Sequence, residues 1–391
     1  MKILGIESSC DDTSVALIEA SENNFVVLAE KTASQIDIHK KYGGVVPEIA
    51  GREHAIAIMP VIEEVLSLGY TRDAMQKKPF DFPRLRSGQV AHGKPDAIAV
   101  TAGPGLITGL VIGVEAAKNL SYLWEVPLIR VNHMDGHVHS VLLKNQINKS
   151  GANIKIENQS IEFPALCLLV SGGHTELLLA TDHGVYEKLG ATRDDAAGEC
   201  FDKVAKLLGL EYPGGPKISA LAKKGNANTI SFPRPMIKEN NLDFSFAGLK
   251  TAALYWLRDN ELSALDVNPD LPAGIFGVQH NNPTRADFCT SFEQAIVDVI
   301  VEKTSRAAEK YQPTTIIFGG GVSANEKMRA TLRAELQKIL PNSKFLIPEK
   351  KYSMDNGAMI AVAGYFQAQK NNFTSWRDIV VDPNWEAYIS G

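Results

Sequence analysis

Lys2-Ile3-Leu4-Gly5-Ile6-Glu7-Ser8-Ser9-Cys10-Asp11-Asp12-Thr13-Ser14-Val15-Ala16-Leu17-Ile18 reads as two apolar, β-branched runs, 2–6 and 15–18, around a polar turn at 8–14. The same pattern returns at 166–180, with Ser171-Gly172-Gly173-His174 as its turn. Two such hairpins, each leading into helix, predict a duplicated α/β lobe. Outward from them, strand-like runs recur at 97–100, 128–131, 165–170, 177–180, 315–318 and 345–347. Helix-period segments at 53–66, 114–123, 200–208, 288–310 and 325–340 lie between. That alternation is the mark of an α/β architecture.

A chain of 391 residues exceeds one ordinary core and suggests two lobes. With 45% hydrophobic and 22% charged residues it has the balance of a globular protein. The apolar run 106–114 is far shorter than the roughly 20 residues needed to cross a bilayer. A net charge of -5 means that nucleic acid would have to meet a local basic surface rather than the field of the whole molecule. Cys10, Cys167, Cys200 and Cys289 are scattered, without a C-x-x-C pair, which fits a reducing compartment. The chain starts directly in a strand rather than in a leader peptide, so a cytoplasmic location is expected. Three segments, 71–94, 144–162 and 259–284, break the pattern and read as loops or insertions. The first of them is basic, with Lys77, Lys78, Arg84 and Arg86.

Gly88-Gln89-Val90-Ala91-His92-Gly93-Lys94-Pro95 nearly spells a P-loop, but Pro95 stands where the magnesium-binding hydroxyl belongs and the glycines precede a strand. Three other glycine turns follow apolar strands: Thr101-Ala102-Gly103-Pro104-Gly105, Ser171-Gly172-Gly173, and Gly319-Gly320-Gly321-Val322-Ser323-Ala324-Asn325. Backbone N–H groups can approach a phosphate at such turns, so together they point to a nucleotide, although each alone could merely close a connection. His133-Met134-Asp135-Gly136-His137 puts two imidazoles at i and i+4, able to share one metal at the end of a strand. Asp355, in Ser353-Met354-Asp355-Asn356-Gly357, suits the third ligand by type, but nothing in the pattern selects it over other acids. A zinc peptidase would need Glu directly after the first histidine, where Met134 stands. His139 reads as a surface residue or one behind the ligands. Asp11 and Asp12, like Asp194 and Asp195, could hold magnesium or take a proton, although capping is the commoner use of such acids. Cys10 reads as a packed thiol.

Taken in order, these motifs closely resemble the TsaD family, the tRNA threonylcarbamoyladenosine transferase subunit. The resemblance runs through 5–13, Tyr42-Gly43-Gly44-Val45-Val46-Pro47-Glu48, 101–106, 133–137, 169–175 and 194–203. It continues through Tyr212-Pro213-Gly214-Gly215-Pro216, 243–251, 320–325 and 355–359, which is nearly the whole chain outside the three insertions. What it implies is a two-lobed, actin-like ATPase (ASKHA) fold with nucleotide in the interlobe cleft. Lobe I would be 1–135 with about 363–391, and lobe II 136–362. The implied reaction moves threonylcarbamoyl from threonylcarbamoyl-AMP to N6 of adenosine 37 in tRNAs reading ANN codons. His133, His137 and Asp355 would hold iron or zinc. Leu169, Val170, Ser171, Gly172, Gly173, Asp202, Gly215 and Asn325 would bind the adenylate, with magnesium as a possible companion of the nucleotide. Asp11 or Asp12 would accept the proton from N6.

Two departures stand out: Asn132 replaces a further histidine of many bacterial members, and Asp12 replaces the commoner Glu. The resemblance also implies TsaB and TsaE-type partners, TsaB on a helical face of lobe I. For tRNA the basic candidates are Lys203, Lys206, Lys217, Lys223, Lys224, Arg234 and Lys250. The rival reading is an actin-like small-molecule phosphotransferase or ATPase, which would have no use for a histidine-bound metal. A non-catalytic binding module would be expected to lose that set.

Overall fold

The computed structural model describes residues 1–22, 24–71, 93–144, 159–260 and 284–386. Most of each expected insertion (71–94, 144–162, 259–284), including its basic residues 77–86, lies outside the described residues. The first half of the chain forms β1 (Lys2–Glu7), β2 (Asp12–Ser21), β3 (Asn24–Ser34), α1 (Ile36–His39), α2 (Pro47–Thr71), β4 (Ala97–Gly103), α3 (Ile107–Trp124), β5 (Leu128–Asn132) and α4 (His133–His139). There follow β6 (Ala165–Val170), β7 (Thr175–Asp182), β8 (Val185–Ala191), α5 (Ala197–Leu207), α6 (Gly214–Ala222) and α7 (Ala247–Asp259). The chain continues with α8 (Arg285–Tyr311), β9 (Thr315–Gly319), α9 (Glu326–Ile339), β10 (Lys344–Leu346) and α10 (Gly357–Gln369).

Duplication shows in the topology. One sheet has the order β3-β2-β1-β4-β5 and the other, read from its antiparallel side, β8-β7-β6-β9-β10. In both, three antiparallel strands are extended by two parallel ones across the first. The expectation that each hairpin runs straight into helix is therefore corrected, because a third strand intervenes in both lobes. β3 and β8 are edge strands with charged, half-exposed residues, so neither carries a clean apolar alternation.

Strand alternation sorts the side chains into three cores. Ile98 and Val100 face outward with Leu4 and Ile6 onto α2 and α3. Ala97, Ala99, Ile129 and Val131 face inward, into a middle layer built from α4 and α10 and closed on its far side by Cys167, Leu169 and Leu178 of the second sheet. The other face of that sheet packs Leu166, Leu168 and Phe318 against α5 to α9. α10 is buried at every position from Gly357 to Tyr365, so it is the wall shared by both halves. Each of its larger apolar side chains contributes about 1.5–3 kcal/mol by leaving water.

Three-fold close approach fixes that wall. A Cβ on Gly5 would lie 2.0 Å from the Gly357 carbonyl oxygen, and one on Gly136 would lie 2.8 Å from Ile360 Cδ1. Gly357 N–H also donates to Ser14 Oγ (2.9 Å). The start of α10 is thus held to β1, β2 and α4 at once, and Asp355, two residues before it, is held with it.

Candidate metal centre and nucleotide cleft

The C-terminal ends of the parallel strands converge here, as α/β folds lead one to expect of a ligand site. β5 ends at Asn132, whose side chain accepts a hydrogen bond from Met134 N–H (2.9 Å) and so caps the short helix α4. The cap aims His133 and His137 to the same side, with ring centroids 4.7 Å apart. Asp355 arrives from the turn before α10, with Oδ1 3.5 Å from His133 Nε2 and 3.2 Å from His137 Nε2. One donor atom from each of the three lies within 4.8 Å of the others, so the group could hold a metal ion. His137 is 1% exposed and neither ring nitrogen has an aligned hydrogen-bond partner. A buried imidazole held by one poorly aligned carboxylate contact leaves its Nε2 lone pair open to a cation, and two imidazoles with a carboxylate are a donor set that fits iron or zinc.

Charge in the cluster is tightly linked. Burial opposes a charge on His133, but Glu7 and Asp355 outweigh it and lift the imidazole to about 9. Burial likewise opposes ionisation of Asp355, yet attraction to His133 and His137 holds it well below the usual carboxylate range. His174, at the hairpin turn, is pushed down to about 4 by burial and by the neighbouring histidines.

Glu7 was not among the residues expected to matter. It is fully buried at the end of β1 and accepts from His133 Nδ1 (3.0 Å), Thr101 Oγ1 (2.6 Å) and Ser9 N–H (2.6 Å). The signal available in the sequence is a charged residue closing an otherwise apolar strand. His139, expected at the surface or behind the ligands, is fully buried, so the surface alternative is corrected. It stacks on His183 and Phe366, with Nε2 2.8 Å from His183 Nδ1.

Asp11 and Asp12 stand in the turn between β1 and β2. Tyr212 donates to Asp11 Oδ2 (3.3 Å), linking this turn to the second half of the chain. Burial, with Asp355 nearby, raises Asp11. Asp12 is 9% exposed, and its Oδ1 has no partner. Burial and the neighbouring acids Asp11, Asp355 and Glu7 raise it to about 7. It lines a cavity of about 290 Å³ with Thr32, Lys351 and Asp355. Cys10 is a free thiol pushed far up by burial and Asp11, as a packed thiol would be.

Glycine turns divide into two kinds. Gly172 and Gly173 have open space where a Cβ would be, and Gly215 has nothing nearer than 3.8 Å. The turn 101–105 is closed: a Cβ on Gly103 would meet Asp382 O at 1.8 Å and one on Gly105 would meet Ser9 O at 2.6 Å. That turn packs backbone on backbone and leaves no room for a phosphate. At the third turn Gly319 and Gly320 pack on His137 and Val170. Leu169 and Val170 are core residues whose side chains face away from any ligand, leaving only their backbone. Ser171 Oγ accepts from His174 N–H (3.1 Å) and tightens the open turn. Asp202, raised by burial, accepts from Gly214 N–H (2.7 Å) at the start of α6, beside Gly215. Asn325 caps α9 through Oδ1 and donates Nδ2 to Glu293 (2.8 Å) and Ser219 (3.0 Å).

Elsewhere, several of the acids and bases singled out in the sequence pair within the chain. Asp194 accepts from Phe246 N–H (2.8 Å) and Ala247 N–H (3.2 Å), the capping use of such residues, while Asp195 pairs with Lys203 and Lys250. Lys223 meets Glu326, Arg234 meets Asp298, and Lys206 reaches Tyr42 O. No helix among the described residues is long and apolar enough to cross a membrane.

A family model described as TsaD, tRNA N6-adenosine threonylcarbamoyltransferase, matches residues 26–72 and 85–362. Curated relatives bear the name tRNA N6-adenosine threonylcarbamoyltransferase. One from Anaeromyxobacter sp. (strain Fw109-5) is 42% identical over 98% of this chain and 99% of its own. Another, from Bacillus subtilis (strain 168), is 40% identical over 95% of this chain and 91% of its own. Among solved structures, full-length HypF in the phosphate- and nucleotide-bound form aligns with a TM-score of 0.53 at 11% identity, over 96% of this chain and 47% of that one. That likeness is one of fold, and it matches the two-lobed actin-like architecture.

Proposed function

Because the chain belongs to the TsaD family of tRNA N6-adenosine threonylcarbamoyltransferases, we propose that it makes threonylcarbamoyladenosine at position 37 of tRNAs reading ANN codons, with threonylcarbamoyl-AMP as donor. N6 of adenine is a weak nucleophile, its lone pair being delocalised into the ring. Its attack forms the N6–acyl bond, the acyl–phosphate bond breaks, and AMP leaves. The chain's task is to seat the adenylate, take the proton released from N6 and steady the charge that develops.

The single observation that carries the site assignment is the convergence of His133, His137 and Asp355, the last of them on one side of a cavity that Asp12 also lines. Those three residues would hold one Fe(II) or Zn(II) ion, which when bound supplies Lewis-acid polarisation of the donor's acyl or phosphate oxygen. Asp12 accepts the N6 proton: raised to about 7, it is ionised for much of the time near neutrality and still basic enough to take it. Asp11, tied to Tyr212, holds the turn that presents Asp12. Gly172 and Gly173 leave room for backbone to approach the phosphate. Gly215 and Asp202 bound the adenosine side through the start of α6, and Ser171, Leu169 and Val170 contribute backbone. Asn325 shapes the cleft by capping α9. Magnesium would accompany the bound nucleotide.

The cleft lies between a lobe of 1–135 with about 363–391 and a lobe of 136–362. An adenine from a single-stranded anticodon loop can be splayed into it. TsaB and TsaE-type proteins are the partners, and the cytoplasm, suited to four free thiols, is the compartment. Family membership turns aside the small-molecule phosphotransferase. Nucleoside mass spectrometry on unmodified tRNA, incubated with threonylcarbamoyl-AMP and this protein with and without those partners, tests the reading. A threonylcarbamoyladenosine peak is expected; its absence under every partner condition refutes the donor assignment.

A further inference from the structure

We propose that Glu7 is the positioning residue for His133, holding the imidazole with its Nδ1–H turned into the core so that Nε2 is left to a metal. The inference rests on the reading of His133, His137 and Asp355 as a metal site. Glu7 is fully buried at the end of β1, so it cannot touch a substrate in the cleft. Three donors meet it: Ser9 N–H at 2.6 Å on Oε1, and Thr101 Oγ1 at 2.6 Å with His133 Nδ1 at 3.0 Å on Oε2. Those donors come from the β1–β2 turn, from β4 and from α4, so the carboxylate ties three elements together at the one ring that needs orienting. An imidazole that donates through Nδ1 carries its free lone pair on Nε2, the atom that faces Asp355 Oδ1 at 3.5 Å. His137 has no such partner for its Nδ1, so the two histidines are not equivalent: one is held from behind and the other is not.

Ser9 is the rival. Its Oγ lies 3.1 Å from the same His133 Nδ1 and could do the orienting without a charge. Competition between a chromogenic chelator and the purified protein for Zn(II) alone separates the two. Glu7→Gln keeps the shape and removes the charge, and it should weaken zinc binding by at least about tenfold, in the range usual for partners behind a ligand. Ser9→Ala should stay within about threefold of the wild type. Equal affinity for Glu7→Gln and the wild type, or a loss found only in Ser9→Ala, overturns the proposal. A His133→Ala/His137→Ala reference keeps the premise separate: if it binds zinc as well as the wild type does, the metal reading falls, whereas a loss there with none in Glu7→Gln sinks the Glu7 role alone. Should Glu7→Gln not fold, the wild type itself decides. With 15N-labelled histidine in the zinc-loaded protein, His133 is expected to carry its proton on Nδ1 and the metal on Nε2, and the opposite pattern refutes the assignment.

Discussion

Replacing Asp12 with asparagine should make the protein more stable at alkaline pH and nearly inactive. Folding raises this carboxyl from 3.8 to about 7, through burial first and neighbouring acids second, and its Oδ1 has no partner. Because the folded value lies above the unfolded one, the fold favours the protonated acid. The stability it contributes is complete below about pH 4 and is lost as pH climbs from there through about 7. At about 1.4 kcal/mol per pH unit the interval amounts to roughly 4 kcal/mol, which relaxation and water entry reduce to about 2. Asparagine mimics the protonated acid and never ionises, so it should recover that amount at pH 8 and almost nothing at pH 4. Spread over an unfolding entropy of about 0.8 kcal/mol per kelvin for a chain this long, the gain is roughly 2–3 °C in Tm. Thermal melts of both proteins at pH 4.5, 6 and 8, in chelator so that no bound cation offsets the carboxylate, measure it. Turnover of Asp12→Asn should fall by about 10²–10⁴, the usual contribution of a general base. A variant that melts no higher than wild type at pH 8, or gains equally at pH 4.5 and 8, would show that Asp12 is not held against its charge.

Further outcomes follow from the same geometry. His133→Ala/His137→Ala should take up no zinc by elemental analysis, with its circular dichroism unchanged and its turnover lost. Gly172→Ala meets open space and should leave Tm within about 1 °C while weakening AMP binding in calorimetry. Gly109→Ala would instead drive a Cβ to 2.3 Å from Ser8 O and should cost about 1–3 kcal/mol in urea unfolding. Asp194→Ala removes the acceptor for two N–H groups at the start of α7 and should cost about 1 kcal/mol by the same assay, with no change in zinc affinity.

Legibility in the sequence tracked how local each interaction is. His133 and His137 could be paired from their spacing because a single helical turn sets it, whereas Asp355 had to come from resemblance: it meets them only because Gly5, Gly136 and Gly357 let α10 close on β1 and α4. The hairpins were readable because β1, β2, β6 and β7 are buried and apolar. Their third strands were not, since edge strands such as β8 are dressed with Lys188 and Glu187. α10 carries no helical period because a helix buried all round has no polar face to mark it. The closed turn at Gly103 and the open one at Gly172 look alike as strings of glycine, and only the packing around each distinguishes them. Glu7 hid for the same reason, as the partners that use its charge sit 94 and 126 residues away.

α10 also sets a timetable for synthesis. The first sheet is complete in sequence once β5 reaches Asn132, but the helix that covers its inner face begins at Gly357, about 225 residues later. At roughly 5–20 residues per second the ribosome needs about 10–45 s to deliver it. Throughout that interval Ile3, Ala99, Ile129 and Val131 have only the short helix α4 and the later second sheet to cover them and lack the larger part of their lid, so the nascent chain presents an apolar platform to whatever holds young proteins in solution. The protein's earliest-made sheet must wait for nearly its last-made helix, and a chain stalled in between would be a client for chaperones rather than a half-built enzyme.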